Sequence, residues 1–223
     1  LKTQNIFKNK FKLNINANKT YLDQENIVNK LNGYLVFEDN EIKDGNLDSF
    51  FSNDKKIKLT IRSTANEKIT TLYSDIAKPF VNRYEFIKGF DEGNLDFYSI
   101  KRNGLSKSKL IIDNFKVQEV PALAKLLTLA SLQGIADLLT GEGIRFSDFE
   151  MSFKNENNLM EIEELYAIGP AISILMDGYI EGKNLISLSG TLVPATTINR
   201  TISSIPVIGD ILVGKKVGEG VFG

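Results

Sequence analysis

Apolar and polar residues alternate along much of the chain. In segments 11–16, 57–62 and 149–154, Phe, Leu, Ile or Met occupies every second position. Because successive side chains of a β-strand point to opposite faces, this period predicts strands with one apolar and one polar face, as in an antiparallel sheet. Turn-forming stretches rich in Asn, Asp and Gly separate these segments, as in an all-β meander. The predicted strands are 6–16, 32–38, 41–51, 56–63, 67–74, 93–101, 105–118, 144–154, 159–168, 171–181 and 184–193, and a further strand begins near 218.

Three segments depart from the alternation and predict two or three short helices. The first begins at Asp75, a residue type that favours the cap position, and extends to about Lys88. The second covers 122–139 and is apolar on nearly all sides, so other groups must cover it. The third, 195–213, is a short helix followed by a further apolar turn. Two explanations for the second helix stay open: it caps or plugs an apolar surface, or it packs in an ordinary core.

The fold class predicted from these elements is mainly β, in one continuous unit. The helices mark possible sub-segments 1–88 and 89–223, and no linker rich in Pro, Gly or Ser lies at their boundary. The alternation leaves open what covers the apolar faces. Taken alone, the two-residue period of the apolar side chains favours a sandwich, in which two sheets cover each other. The other arrangement is a long curved sheet whose apolar trough is covered by acyl chains.

The composition excludes several kinds of catalytic and metal site. The chain has 223 residues with no His and no Cys. A Ser-His-Asp triad, a cysteine nucleophile, a disulfide framework and an imidazole or thiolate zinc site are therefore excluded. The net charge of −1 argues against nucleic acid as a partner. No uncharged apolar run reaches the roughly 18 residues of a membrane span, and the first residues lack the apolar core of a signal peptide.

Two glycine-containing segments match nucleotide-binding motifs only in part. Residues 209–215 fit G-x-x-x-x-G-K, but Lys216 stands where the magnesium-binding Ser or Thr belongs. Residues 218–223 fit G-x-G-x-x-G without a surrounding βαβ unit. Both segments are interpreted as turns or strand ends, and we predict no cofactor.

The acidic residues do not predict a catalytic pair or a metal site. Asp148 and Glu150 alternate with apolar residues, which places them on the polar face of a strand and not in a cleft. Asp39, Glu41 and Asp44 resemble a calcium loop only faintly, because the remaining ligand positions are missing. We therefore predict no catalytic residue, no metal ligand and no enzymatic activity.

Several short motifs follow one another in a characteristic order. They are VPALAKLLTLASLQGIADLLTGEGIRF at 120–146, YAIGPA at 166–171, GTLVPA at 190–195, IPVIGDILVG at 205–214 and GEGVFG at 218–223, with looser agreement at YSDIA (73–77) and GNL (93–95). With these motifs the chain resembles the AsmA-like C-terminal region of bacterial envelope proteins, a group that includes YhdP-like and TamB-like chains. The resemblance covers most of the chain and is strongest from about 110 to 223.

This resemblance implies a U-shaped groove of long antiparallel strands with helices over or across it. Members of the family are anchored in the inner membrane by an N-terminal helix, project through the periplasm and are thought to conduct phospholipids toward the outer membrane. We accordingly expect the periplasmic part of an inner-membrane-anchored protein of a Gram-negative bacterium. The sequence lacks the anchor and an initiator Met, so we expect a piece of a longer protein.

From the resemblance and the alternation together, we expect an apolar groove face that binds the acyl chains of phospholipids. The residues predicted to line it are Phe149, Met151, Phe153, Ile172, Ile174, Met176, Ile186, Leu188 and Leu192. The expected partners are phospholipid, the inner and outer membranes and other envelope proteins. One alternative is an envelope assembly scaffold that binds outer-membrane proteins through strand edges. A further alternative is a hydrolase acting on envelope glycans through Asp148 and Glu150.

Overall fold

The computed structural model describes residues 10–81, 88–119, 141, 143–182 and 185–194. These residues form eleven strands and one short helix, which confirms the mainly β prediction. The strands are β1 (Phe11–Tyr21), β2 (Ile27–Glu38), β3 (Glu41–Phe51), β4 (Lys56–Ser63), β5 (Lys68–Ser74), β6 (Lys88–Arg102), β7 (Leu105–Glu119), β8 (Ile144–Glu156), β9 (Leu159–Ile168), β10 (Ile172–Glu181) and β11 (Leu185–Pro194). The helix is α1 (Lys78–Val81), between β5 and β6 along the chain.

All eleven strands belong to one antiparallel sheet, in which each strand pairs with the next along the chain. The sheet is open and curled, with β1 and β11 at its edges. Tight hairpins help to produce this order. Asp39 and Asn40 have φ angles of 50° and 66°, and Asn103 and Gly104 have 49° and 86°. Two successive positive φ angles match a turn to the twist of the strands it joins. The sandwich favoured by alternation alone is wrong for the described residues, because they form one sheet.

Two strands begin earlier than the sequence predicts, and in both the backbone departs from regular geometry. β2 begins at Ile27 and not at 32; Lys30 within it has a φ of 54°, and the register against β3 shifts there. β6 begins at Lys88 and not at 93, and Glu92 and Gly93 have φ angles of 65° and 77°. Such irregularities interrupt the alternation of side chains, so the period does not reveal the full strand.

Helix α1 begins later than predicted, and Asp75 does not cap it. One carboxylate oxygen of Asp75 accepts a 2.6 Å hydrogen bond from the backbone N–H of Lys56, and the other accepts one from the hydroxyl of Tyr73. Asp75 therefore joins β4 to the end of β5. The carbonyl of Ala77 accepts the first helical hydrogen bond, 3.0 Å from the amide of Phe80.

Several sequence predictions fall wholly or partly outside the described residues. These are residues 6–9 of the first predicted strand, residues 82–87 of the first helix, the helices 122–139 and 195–213, and the strand near 218. Within the described part, β1 continues to Tyr21 and not only to 16. Its polar continuation pairs with β2 through the backbone, which does not depend on side-chain polarity.

Most of the buried apolar side chains of the described residues form one cluster between α1 and strands β6 to β10. The rings of Phe90, Phe115 and Phe146 stack in series, with centroids 5.2 Å apart at each step. Phe149 meets Phe115 edge-on at 6.2 Å. The other buried members are Ala77, Val81, Leu95, Ile112, Val117, Ile144, Ala167 and Ile172. Burial of these large side chains stabilises the sheet by about 25 cal/mol per Å² of apolar area.

Candidate functional site

The pairing register aligns mostly apolar side chains in a row that crosses the whole sheet. Residues directly opposite each other on adjacent strands lie on the same face. The central row, from β1 to β11, is Ile15, Gly33, Leu47, Leu59, Leu72, Phe97, Leu110, Met151, Leu165, Met176 and Gly190. We call the side of the sheet that carries this row the apolar face, and the other side the polar face.

A second row lies beside the central row on the apolar face, two residues along each strand. This core row, from β3 to β11, is Ser49, Ile57, Ser74, Leu95, Ile112, Phe149, Ala167, Ile174 and Leu192. Its two serines are buried, and each hydroxyl donates to a backbone carbonyl. Ser49 donates to Asn29 at 2.8 Å, and Ser74 donates to Ile76 at 2.7 Å. Because both hydroxyls are satisfied, the row remains effectively apolar.

All of the residues predicted to line a groove lie on the apolar face, but their exposure differs widely. Phe153 and Ile172 are 7% and 0% exposed, so protein atoms already cover them. Ile186 and Leu188 near the β11 edge are 50% and 40% exposed. The remaining predicted residues are half-buried; three of them, Phe149, Ile174 and Leu192, pack against the core, and the other two are Met151 and Met176. Lipid binding by these residues stays a prediction.

The apolar face becomes polar toward one end of the middle strands, a feature that the sequence reasoning missed. Next to the central row on β5, β6 and β7 lies the hydroxyl row, defined as Thr70, Ser99 and Ser108. The Ser108 hydroxyl donates to Ser99 Oγ at 2.9 Å. One step further lies the lysine row of β4 to β7, defined as Ser63, Lys68, Lys101 and Ser106. The sequence did contain a signal for this polar end. Side chains two residues apart lie on the same face of a strand, so Lys68, Thr70 and Leu72 share one face of β5.

The polar face carries ion pairs and hydrogen bonds between neighbouring strands. Arg62 on β4 donates to Asp44 on β3 at 2.5 Å, and the hydroxyl of Tyr34 on β2 donates to Asp44 at 3.2 Å. Lys58 lies 3.8 Å from Asp48. These side chains are largely exposed, and such pairs stabilise a sheet only modestly. Their consistent placement makes the polar face hydrophilic and distinguishes it from the apolar face.

Glu150 and Asp148 both lie on the polar face. Glu150 accepts a 3.0 Å hydrogen bond from the hydroxyl of Tyr166 and lies 2.6 Å from Lys109 Nζ. Burial first, and the charge of Glu150 second, raise the pKa of Tyr166 above its ordinary value. Asp148 lies opposite Asp113 of β7 in the ladder. Glu150 is thus bound by the side chains of Tyr166 and Lys109 and has a structural role.

A shallow depression of about 360 Å³ lies on the polar face between β4 and β7. Tyr73 and Tyr98 flank the Asp96 side chain within it, and Lys58 and Lys109 line its sides. Burial first, and the charge of Asp113 second, raise the pKa of Asp96. The sequence reasoning did not identify this depression, because its side chains come from four separate strands.

The described residues contain no group of three or more acidic, His or Cys side chains arranged to hold a metal ion. Within the same ranges, no helix has the length and apolar character needed to cross a membrane. The distinctive features of the described chain are therefore the two-sided sheet and the rows on its apolar face. Comparison with protein-family models, with curated proteins and with solved structures gives no match.

Proposed function

We propose that this chain is a segment of a lipid conduit, in which the apolar face holds the acyl chains of phospholipids. In this proposal it is the periplasmic part of an AsmA-like protein anchored in the inner membrane of a Gram-negative bacterium, and it has no enzymatic activity. The observation that carries the proposal is the central row, which crosses eleven strands on one side of a single sheet.

The physical support comes from the cost of exposing hydrocarbon to water. Moving an acyl chain out of a bilayer costs about 25 cal/mol of free energy for each Å² of apolar area that becomes exposed to water. Adjacent strands lie about 4.8 Å apart, so the central row offers roughly 50 Å of apolar surface. Aliphatic, Phe and Met side chains make non-directional contacts, which allow a chain to move along the row without one deep binding site.

The exposure of the central row is also consistent with a surface that accepts a ligand. Its middle members Leu59, Leu72, Leu110 and Met151 are half-buried, and the described residues form no second sheet over them. In this proposal the curled sheet is a U-shaped trough, and the acyl chains lie along the central row. Helix α1 would cover the trough where the core cluster lies.

The proposal is tested by expressing the chain in the periplasm of a Gram-negative host, purifying it without detergent and weighing the extracted molecules by mass spectrometry. We expect phospholipid in near-stoichiometric amount.

Met151→Asp places a charge in the central row and should lower bound lipid at least fivefold. The matched control is Ser152→Asp, one residue along β8 on the polar face, which should keep wild-type lipid. Circular dichroism and urea unfolding report whether each variant is folded. A folded Met151→Asp variant with wild-type lipid content would contradict the proposal.

One observation favours the scaffold function as the second candidate. Within the described residues, β11 pairs with β10 alone, and its Leu185, Ile186 and Leu188 are exposed. An unpaired edge of this kind can add a strand from another protein. Co-purification of an outer-membrane barrel protein without phospholipid, lost when Leu188 is replaced by Pro, would support the scaffold function over the conduit.

A further inference from the structure

The lysine row faces the same way as the central row, although it consists of polar and charged residues. On β5, Lys68 is followed at two-residue intervals by Thr70 and Leu72, and on β6 Lys101 is preceded by Ser99 and Phe97. The pairing of β5 with β6 is unbroken from Lys68–Lys101 to Ser74–Leu95. The apolar face therefore changes in steps from charged, through hydroxyl-bearing, to apolar.

The two lysines lie directly opposite each other, and neither forms a salt bridge within the described residues. Like charges in this position destabilise a sheet. The acidic group whose charge acts on Lys68 is Glu41, and its carboxylate is hydrogen-bonded to Lys43 at 2.9 Å. Burial first, with the charges of Lys101 and Lys43 adding, lowers the pKa of Lys68, and the charge of Glu41 partly opposes this. The pair thus carries positive charge that no salt bridge within the described residues neutralises and that Glu41 opposes only in part.

A second, independent feature of the lysine row is an unsatisfied hydroxyl. Ser63 lies opposite Lys68, and its Oγ is buried with no hydrogen-bond partner in the described part of the chain. A buried hydroxyl without a partner is costly, so native proteins normally satisfy it. An anion held by the two ammonium groups would bring an acceptor to the row that contains Ser63. Ser106, on the other side of Lys101, supplies a further hydroxyl.

We propose that the lysine row holds the phosphate of a phospholipid whose acyl chains lie on the central row. This inference rests on the proposed function and assigns the position and charge of the headgroup. Successive rows are about 6.6 Å apart, because each strand residue advances about 3.3 Å. The glycerol and ester groups then lie over the hydroxyl row, and the hydrocarbon begins at Leu72 and Phe97. A phosphate diester is shared by anionic and zwitterionic phospholipids, and a free phosphate monoester presents similar oxygens to the lysines.

The experiment separates headgroup binding from acyl-chain binding. Calorimetry measures the affinity of the purified, delipidated chain for dihexanoyl phosphatidylglycerol, for dihexanoylglycerol and for glycerol phosphate. The test variant is Lys68→Gln with Lys101→Gln, and it removes a repulsive pair, so it should fold. The control variant is Lys55→Gln with Lys107→Gln, which removes the same charge at exposed positions outside the lysine row.

We expect the test variant to bind the phospholipid about tenfold more weakly, as expected for the loss of two charge-assisted contacts. It should bind dihexanoylglycerol as the wild type does, and the control should bind both lipids normally. Equal phospholipid affinity in the test variant and the wild type would overturn the headgroup assignment and leave the proposed function standing. Absence of binding of either lipid to the wild type would overturn both. Lysine-dependent binding of glycerol phosphate alone would identify a free phosphate site and overturn the lipid assignment.

Discussion

Arg145 on β8 holds Glu92 on β6 through two hydrogen bonds, although β7 lies between the two strands. Nη1 donates to Oε2 at 2.8 Å and Nη2 donates to Oε1 at 2.9 Å. Two parallel hydrogen bonds of this kind restrict the geometry more than a single contact does. Glu92 has a φ of 65°, so the pair also fixes the irregular part of β6 against β8.

This pair predicts how stability depends on pH. The hydrogen bond from Arg145 is the first cause that lowers the pKa of Glu92. A carboxylate with a lowered pKa in the folded state stabilises the protein above its unfolded pKa, and the effect is lost as pH falls through the folded value. The pKa values of Glu41 and Asp75 are also lowered, so they act in the same direction. We expect the free energy of unfolding to fall as the pH decreases below about 5.

Urea unfolding at pH 7, 5, 4 and 3 measures this dependence. Glu92→Gln should be less stable than the wild type at pH 7 and should lose less stability on acidification. Arg145→Gln should act in the same way, and the double variant should add little to either single variant. An acid dependence in Glu92→Gln as steep as in the wild type would contradict the assignment.

At Gly33 we expect a single added methyl group to lower the free energy of unfolding substantially. A Cβ at this position would lie 1.9 Å from the carbonyl oxygen of Asn46 on β3, and the φ of Gly33 is 146°. Gly33→Ala must therefore separate β2 from β3 locally and should cost about 2 kcal/mol or more. Gly104→Ala is the comparison, because a Cβ there meets nothing within 4 Å and only the φ of 86° opposes it. Its cost should be about 1 kcal/mol. Equal midpoints of urea unfolding for the two variants would argue against the close approach.

Substitution of Phe115 tests how much the aromatic stack contributes to the stability of the protein. It is 5% exposed and lies between Phe90 and Phe146. Phe115→Ala removes the middle ring and should destabilise the protein by about 3–5 kcal/mol. Leu13→Ala, at a position that is 45% exposed, should cost less than about 1 kcal/mol. Thermal and urea unfolding check both values. A loss of less than about 1 kcal/mol in Phe115→Ala would show that the cluster is not the main core.

The lysine row predicts a substitution that stabilises the protein. Lys101→Gln removes the repulsion from Lys68 and should raise the free energy of unfolding by about 0.5 kcal/mol at low salt. The gain should shrink in 0.5 M NaCl, since salt screens exposed charges. Lys107→Gln, on the other face of β7, is the control and should show no comparable gain. A destabilised Lys101→Gln variant would mean that Lys101 makes a favourable interaction in the free protein.

Much of the fold could be predicted from local pattern alone. The alternation in 149–154 identified a strand and assigned Phe149, Met151 and Phe153 to one side of it, because the side-chain period belongs to a single strand. The same reasoning missed the beginning of β2, where Lys30 interrupts the alternation. It also assigned Asp75 to a helix cap, whereas its carboxylate binds the backbone of Lys56 on another strand.

The candidate site depends on which residues lie opposite each other, and local pattern does not contain that information. Residues Lys68 and Lys101 share a row only because β5 pairs with β6 in one register. Arg145 reaches Glu92 only because β6, β7 and β8 are consecutive in the sheet. A shift of one residue would move every side chain of a strand to the other face, so hairpins and irregular residues decide the composition of each face.

The sequence by itself therefore determined that the chain forms amphipathic strands, because alternation acts within each strand through the geometry of the extended backbone. Only the tertiary structure decided that these strands form one open sheet and not two facing sheets, because that depends on hydrogen bonds between strands. It also decided that on β5 and β6 the apolar face ends at two lysines that form no salt bridge within the described residues, since the register of β5 against β6 places Lys68 opposite Lys101.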